Sequence, residues 1–261
     1  MGDIVGQPGR RILKDFLSKI KNVHGIDVCV ANAENAAAGF GLTQPIARDL
    51  FSFGVDIITL GNHSFARDDI FRFVESEPRI VRPANVSSSW PGFDCAVCDK
   101  GDKGKLLVLN VVGRIGMNPA DSPFQAVDRL LESHKKNTDI RMVLVDFHAE
   151  TTSEKVAMGY YLDGRVSLCL GTHTHVRTAD ERVLERGTGV ITDTGMVGAA
   201  NSVLGMDVTA SLRRLVDQLP AKYETASGPA MINGIVADLD AATGRCREIR
   251  RIYYHEDCMG L

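Results

Sequence analysis

The chain has 261 residues, of which 44% are hydrophobic and 24% are charged, a balance that is typical of folded globular proteins. This composition excludes an intrinsically disordered chain, and the length is sufficient for one α/β domain with a sizeable core. The 30 Lys and Arg residues against 33 Asp and Glu residues give a net charge of −3, without the basic patch that binds a nucleic-acid polymer.

The apolar runs are much shorter than the ~18 residues that a membrane-spanning helix needs, so we expect no association with a membrane. No signal-peptide pattern precedes Asp3, and we therefore expect a cytoplasmic protein. The six cysteines do not indicate a disulfide framework in a chain of this size, and we interpret Cys95 and Cys98 as structural thiols.

Short apolar runs rich in β-branched residues predict strands that are buried on both faces. These runs cover residues 27–31, 55–60, 142–145, 166–170 and 190–192. Capping and periodicity signals predict helices that begin near Pro8, Thr43, Ser122 and Thr151. Two further pairs of runs, 93–98 with 105–112 and 231–239 with 245–254, flank turn sequences and predict β-hairpins. The sequence therefore predicts a single α/β domain over residues 1–261 with mixed sheets.

Residues with chemically active side chains follow four of the predicted strands. Glu34 follows the first run, Asn62 and His63 the second, His148 the third, and His173 and His175 the fourth. Because ligands bind at the carboxyl ends of the strands in open α/β sheets, we expect these side chains to meet at one rim. A single histidine or asparagine at a strand end is more often structural, so the inference rests on the whole set.

With Asp3, this set offers carboxylate, amide and imidazole ligands without a thiolate, which suits Fe, Mn or Zn. A single catalytic zinc ion typically takes three protein ligands, so six candidates indicate two ions that share a carboxylate, which we assign to Glu34. His173 and His175 lie two residues apart, so we expect both imidazoles on the same side of an extended backbone, one facing each ion. The alternative is a pair of surface histidines on a loop.

Two ions about 3.5–4 Å apart lower the pKa of a bound water and brace the attacking and leaving oxygens of a phosphoryl displacement. We therefore expect metal-bound hydroxide to be the nucleophile. The leaving alkoxide needs a proton, and His63 is chemically suited to donate it. The alternative is that His63 orients its neighbours without donating a proton.

Several motifs together resemble the YmdB-like metallophosphoesterases of the calcineurin-like phosphoesterase superfamily. They lie at residues 2–10, 33–43, 61–63 (Gly-Asn-His), 82–85, 146–150 and 171–175 (Gly-Thr-His-Thr-His). The resemblance covers essentially the whole chain. It implies a calcineurin-like α/β/β/α sandwich, a di-iron or di-manganese site, and hydrolysis of phosphodiesters, notably 2′,3′-cyclic nucleotides.

The resemblance also implies a division of the candidate ligands between the two ions. Asp3, Glu34, Asn35 and His175 match one metal site, Glu34, Asn62, His148 and His173 match the other, and His63 matches the proton donor. Asn35 enters the set by resemblance alone. The residues that bind the rest of the substrate stay unassigned, and a homo-oligomer is left open.

The sequence departs from the family pattern at two places. Ala33 stands where the family usually has glycine, and the apolar strand that precedes the Gly-Asp motif in the family does not precede Asp3 here. We therefore expect Asp3 to be held less rigidly, and we expect about five added apolar residues ahead of Met1 to raise the melting temperature.

Other readings of these residues stay open. A dinuclear metallo-amidohydrolase uses a similar rim of histidines and carboxylates, and a regulatory protein could keep the fold and the metals while acting through a partner. Asp193 follows the run 190–192 and is a further carboxylate that could orient a ligand histidine, and its role is left open.

Overall fold

The structure is a computed structural model that describes residues 1–258. Residues 259–261 of the predicted domain lie outside the described residues. In chain order the elements are β1 (Asp3–Ile4), α1 (Gly6–His24), β2 (Val30–Asn32), α2 (Gln44–Phe53), β3 (Ile57–Thr59), α3 (Ile70–Val74), β4 (Ile80–Val81), β5 (Cys95–Asp99), β6 (Lys105–Val112), α4 (Pro123–His134), β7 (Ile140–His148), α5 (Thr152–Tyr161), β8 (Leu168–Thr172), β9 (Arg182–Val183), β10 (Gly189–Ile191), β11 (Met196–Ala199), α6 (Val208–Leu215), β12 (Ala230–Leu239) and β13 (Cys246–His255).

Within residues 1–258 the strands form three sheets. The orders are β1-β11-β12-β13, β5-β6-β7-β8-β10-β9 and β2-β3-β4. The strands β6, β7, β8 and β10 are mutually parallel, as are β2, β3 and β4, whereas the hairpins β5-β6 and β12-β13 are antiparallel. The parallel strands therefore end at shared rims, and the mixed character of the sheets is confirmed.

Helices cover the outer face of each sheet layer. Leu13 of α1 belongs to the same buried cluster as Ile58 of β3 and Ile232 of β12, so this helix covers the smaller sheets. On the opposite side, Val127 of α4 shares a cluster with Val145 of β7. Both α1 and α4 bury an apolar stripe against a sheet, which is the usual way that such layers are stabilised.

A third cluster lies between the two sheet layers. Leu144 and Leu168 of the six-stranded sheet pack in one buried cluster with Ile57 of β3 and Ile249 of β13. The order of layers is therefore helix, sheet, sheet, helix, and the predicted α/β/β/α sandwich is confirmed. Among residues 1–258, no helix is both long enough and apolar enough to cross a membrane.

The predicted elements correspond closely to the observed ones, with shifted ends. Both hairpins are present, and the helix signals at Ser122 and Thr43 fall directly before α4 and α2. The Ser122 side chain accepts the predicted capping bond from the Gln125 N–H at 3.4 Å. Six observed elements were not predicted from the sequence. They are the strands β1, β4, β9 and β11, which have two to four residues each, and the helices α3 and α6.

Asp3 is held more firmly than the sequence reading predicted. It lies in β1, which pairs in parallel with β11, and its backbone N–H donates to the carbonyl of Gly195 at 3.0 Å. The amino group of Met1 donates to the carbonyl of Val30 at 2.8 Å, and the Asp3 side chain is fully buried. The expectation of a loosely held Asp3 is therefore wrong, because β1 pairs with β11 and the preceding Met1 is bonded to β2.

A cavity of about 430 Å³ lies between the two sheet layers. Its walls are mainly apolar and include Val28, Leu106, Ile235 and Leu239. Its inner end reaches polar residues that lie behind the strand ends described below, among them Asp146.

Candidate metal centre

The predicted site residues come from the carboxyl ends of strands in all three sheets. Asp3 lies in β1, Glu34 and Asn35 follow β2, Asn62 and His63 follow β3, His148 is the last residue of β7, and His173 and His175 follow β8. The sandwich brings these ends together, because the rims of both sheet layers face the same end of the molecule. The structure thus places the predicted residues in one neighbourhood.

Glu34, His148 and His173 form a group that could hold a metal ion. Each offers one ligand atom, and these atoms all lie within 4.8 Å of one another. The His148 Nε2 atom lies 2.9 Å from Glu34 Oε1 and 3.0 Å from His173 Nδ1. Asn62 Oδ1 lies 3.0 Å from the same nitrogen, so all four residues predicted for one of the two ions converge on a common point.

The residues predicted for the other ion form a second group next to Glu34. His175 Nε2 is 3.8 Å from Asp3 Oδ1 and 3.2 Å from Asn35 Nδ2. Asn35 Nδ2 is also 3.3 Å from Glu34 Oε1, so the Glu34 carboxylate adjoins both groups. Half a turn about the last side-chain bond would present the Asn35 amide oxygen in place of its nitrogen.

One buried atom indicates that this centre is built for a cation. Asp3 Oδ1 is buried and has no hydrogen-bond partner among the described residues. A buried carboxylate oxygen without a donor is costly, and it is normally satisfied by hydrogen bonds or by a metal ion. Together with the surrounding oxygen and imidazole donors, this atom fits a hard or borderline metal ion.

The backbone around the centre is unusual in ways that suit close packing. A Cβ atom on Gly61 would lie 2.4 Å from Glu34 Oε2 and 2.5 Å from the His148 ring, so a glycine is required there. His173 and His175 adopt φ values of 101° and 65°, in the left-handed region. The expectation that they lie on an extended strand is therefore wrong, because β8 ends at Thr172 and the chain then turns.

Burial and neighbouring charges have opposing effects on the pKa values of Glu34 and His148. Burial alone would raise the pKa of Glu34, but the His148 cation and the His63 N–H lower that pKa to about 2. Burial alone would lower the pKa of His148, but Glu34, Asp3 and Asp146 raise it to about 9. A proton on His148 therefore compensates the buried carboxylates, and a metal ion bound there would have to displace this proton.

Two other residues respond mainly to burial. Burial, with the adjacent His148 charge, lowers the pKa of His173 to about 3, so its imidazole is neutral and free to bind a metal. Burial raises the pKa of Asp3 to about 6, although His175 and His148 oppose the rise. A bound cation would favour the ionised form of Asp3.

Further residues orient the predicted ligands from behind. Thr172 Oγ1 lies 2.9 Å from His148 Nδ1 and donates to Asp146 Oδ1 at 2.7 Å. Glu150 Oε2 lies 3.1 Å from His173 Nε2. The sequence reading did not assign these roles, although Asp146 and Glu150 belong to the Asp-Phe-His-Ala-Glu motif and their spacing from His148 was visible.

His63 lies at the edge of the centre rather than among the converging ligand atoms. Its backbone N–H donates to Glu34 Oε2 at 2.8 Å, and its Nε2 atom is 3.2 Å from Asn62 Nδ2. The Phe40 ring contacts the imidazole edge-on, with ring centroids 5.0 Å apart. His63 is half-buried.

Comparison with known sequences identifies related proteins over almost the whole chain. The family model described as YmdB-like protein matches residues 1–252. A Bacillus subtilis protein named 2′,3′-cyclic-nucleotide 2′-phosphodiesterase is 41% identical over 259 residues, which are 99% of this chain and 97% of that protein. A Mycoplasma pneumoniae protein named putative phosphatase/phosphodiesterase is 33% identical, over 98% of this chain and 92% of the relative.

Comparison with solved structures agrees with the sequence comparison. A crystal structure of a hypothetical protein from Thermus thermophilus is similar with a TM-score of 0.90 and 39% identity, covering 98% of this chain and 97% of that one. The crystal structure of a novel phosphatase from Mycoplasma pneumoniae also has a TM-score of 0.90, with 32% identity and coverage of 98% and 92%. The arrangement of layers described above is therefore shared with proteins of known structure.

Proposed function

This chain belongs to the YmdB-like protein family, and on that premise we propose that it is a dinuclear metal-dependent phosphodiesterase. The observation that carries the proposal is that the Glu34 carboxylate adjoins two ligand groups, one of which contains the buried Asp3 Oδ1, an atom without a hydrogen-bond partner among the described residues. Asp3, Glu34, Asn35 and His175 would hold one ion, and Glu34, Asn62, His148 and His173 would hold the other. Iron or manganese suits this donor set best, and zinc is the alternative.

We propose a 2′,3′-cyclic nucleotide as the substrate, because that is the substrate in the name of the Bacillus subtilis relative. Hydrolysis of the 2′ ester of such a substrate breaks the bond between phosphorus and the 2′ oxygen. The phosphate stays on the 3′ oxygen, and the 2′ oxygen leaves with an added proton.

When bound, two ions would lower the pKa of a water molecule and stabilise the charge that develops on the phosphoryl oxygens. The residues of the chain supply the rest. Glu34 fixes the two groups relative to each other, since its carboxylate adjoins both. His63 gives a proton to the leaving 2′ oxygen, and the Phe40 ring limits the orientations of this imidazole.

The test is a hydrolysis screen of the purified protein after metal removal and reconstitution with Mn²⁺. The substrates are 2′,3′-cyclic AMP, 3′,5′-cyclic AMP, bis-p-nitrophenyl phosphate and a p-nitroanilide amide. The proposal predicts hydrolysis of the 2′,3′-cyclic ester to the 3′-monophosphate, and no reaction of the amide. Amide hydrolysis without phosphodiester hydrolysis would overturn the proposal in favour of an amidohydrolase.

A further inference from the structure

A buried ion pair lies beneath the loop that carries the two histidines after β8. Lys155 of α5 and Asp193, which follows β10, are both buried, and Lys155 Nζ lies 2.7 Å from Asp193 Oδ2. Removing two charges from water costs free energy that their attraction does not always offset, so such a pair is weak evidence for stability. Its contacts indicate a more specific role.

The Asp193 carboxylate fixes the middle of the histidine loop. Its Oδ2 atom accepts hydrogen bonds from the Thr174 backbone N–H at 3.1 Å and from Thr174 Oγ1 at 2.7 Å. Thr174 stands between His173 and His175, whose left-handed φ values are unfavourable for residues other than glycine. Contacts to Thr174 therefore offset strain at the two histidines.

The same carboxylate also reaches the strand that carries Asp3. Asp193 Oδ1 accepts from the Gly195 N–H at 2.8 Å, and the Gly195 carbonyl accepts from the Asp3 N–H at 3.0 Å. The end of β8 also packs closely against the segment that leads to Asp193, because a Cβ atom on Gly171 would lie 1.7 Å from the carbonyl oxygen of Thr192. One side chain thus connects three of the predicted ligands.

We propose that Asp193, held by Lys155, is a positioning residue that sets His173, His175 and Asp3 at the distances needed to bind metal. This inference rests on the proposed function, since it takes these three residues to be ligands. The hydrogen bonds of the Asp193 carboxylate described above go to Lys155, Thr174 and Gly195 and not to the side chain of a predicted ligand. Its effect should therefore appear in metal affinity and in the mobility of the loop.

The experiment compares Asp193→Asn with the wild-type protein, both stripped of metal. Calorimetric titration with Mn²⁺ should show binding weaker by about 10–100-fold, the range found when a group that orients a metal ligand is removed. At saturating Mn²⁺, kcat on bis-p-nitrophenyl phosphate should stay within a few-fold of wild type, whereas the half-saturating Mn²⁺ concentration should rise. Hydrogen exchange of the metal-free variant should be faster at the Thr174 and Gly195 amides.

The matched control is Asp163→Asn. Asp163 likewise accepts backbone N–H groups, from Arg186 and Thr188, but it lies at the amino ends of β8 and β10, away from the centre. The Asp163→Asn variant should bind Mn²⁺ with the same affinity as the wild-type protein.

Each result is decisive for one of the two claims. Wild-type Mn²⁺ affinity and wild-type exchange in Asp193→Asn would overturn the positioning role while leaving the proposed function intact. If that variant does not fold, Thr174→Val removes only the hydroxyl donor and should weaken Mn²⁺ binding several-fold, and unchanged binding would overturn the role. If the wild-type protein binds no Mn²⁺, the proposed function fails, and the exchange measurement still tests the contacts of Asp193.

Discussion

The space between the two sheet layers is packed very differently at its two ends, a tight end at the strand-end rim and a loose end at the cavity. At the strand-end rim, Asp3, Glu34 and His148 are fully buried, and Gly61 cannot take even one more carbon atom. At the other end, apolar side chains such as Leu106 line, together with polar ones, a partly open cavity of about 430 Å³. Protein interiors are usually packed close to crystal density, so the loose end departs from the norm.

The difference in packing indicates which property of the protein, metal binding or stability, depends on each end. A metal centre needs its ligands held to within about half an ångström of the productive geometry, and the close packing of the tight end provides this precision. The loose end has no such requirement, because no predicted ligand lies in the cavity wall. We therefore expect substitutions at the rim to change metal binding and activity, and substitutions in the apolar part of the cavity wall to change stability alone.

The largest expected effect comes from Glu34→Gln. An amide lacks the negative charge of the carboxylate that adjoins both ligand groups, so we expect metal content to fall and phosphodiester hydrolysis to fall by at least ~10³-fold. Mass-spectrometric metal analysis and initial rates on bis-p-nitrophenyl phosphate measure both quantities. A variant with wild-type metal content and rate would show that the tight end does not depend on this carboxylate.

The next effect comes from His63→Gln, which tests the edge of the centre separately from its ligands. Loss of a proton donor typically reduces the rate by about 10²–10⁴-fold, while metal content and melting temperature should stay as in the wild type. His134→Gln, on the distant end of α4, is the matched control and should be fully active. Full activity in the His63 variant would instead favour a role limited to orientation.

A third prediction concerns pH and the metal-free protein. The pKa of His148 is raised from 6.5 to about 9, because the nearby carboxylates outweigh the effect of burial. A raised folded-state pKa means that the stabilisation is complete below pH 6.5 and is lost as the pH rises through about 9. The melting temperature of chelator-treated protein should therefore fall between pH 6.5 and 9.

Added Mn²⁺ should give a larger increase in melting temperature at pH 9 than at pH 6.5, because metal binding has to displace the His148 proton. A melting temperature of the metal-free protein that stays constant over this range would contradict the assignment of a buried cation at His148.

The smallest effect is expected at the cavity. Ala237 lines it, and Ala237→Val should raise the free energy of unfolding by about 0.5–1 kcal/mol without changing activity. Ala31, fully buried in the packed core beneath α1, is the control, and Ala31→Val should destabilise the protein by about 1–3 kcal/mol. Denaturant titration measures both, and equal losses of stability would show that the cavity is not free to accept a methyl group.

Much of the tight end could be predicted from the sequence, because β-branched runs mark the strands and the ligand residues follow the ends of those runs. Convergence then follows from topology, as His148 and Asn62 illustrate. The firm hold on Asp3 could not be predicted, since β1 and β11 are too short to produce a pattern. The place of Asn35 among the predicted ligands was implied by the family resemblance and not by the spacing of the residues.

The conformation of the histidine loop was also hidden from the sequence. Positive φ at His173 and His175 has no residue signature, because neither is glycine. The pairing of Lys155 with Asp193 joins residues 38 positions apart on a helix and a strand end, and such contacts depend on the assembled layers. The cavity likewise depends on how the two sheet layers meet.

The measurement that tests the central claim most directly is the metal content of the purified protein, taken together with its hydrolysis of 2′,3′-cyclic AMP. A dinuclear centre predicts about two metal ions per chain and formation of the 3′-monophosphate, with both lost in Glu34→Gln. Less than one metal ion per chain after reconstitution, together with no phosphodiester hydrolysis, would contradict it.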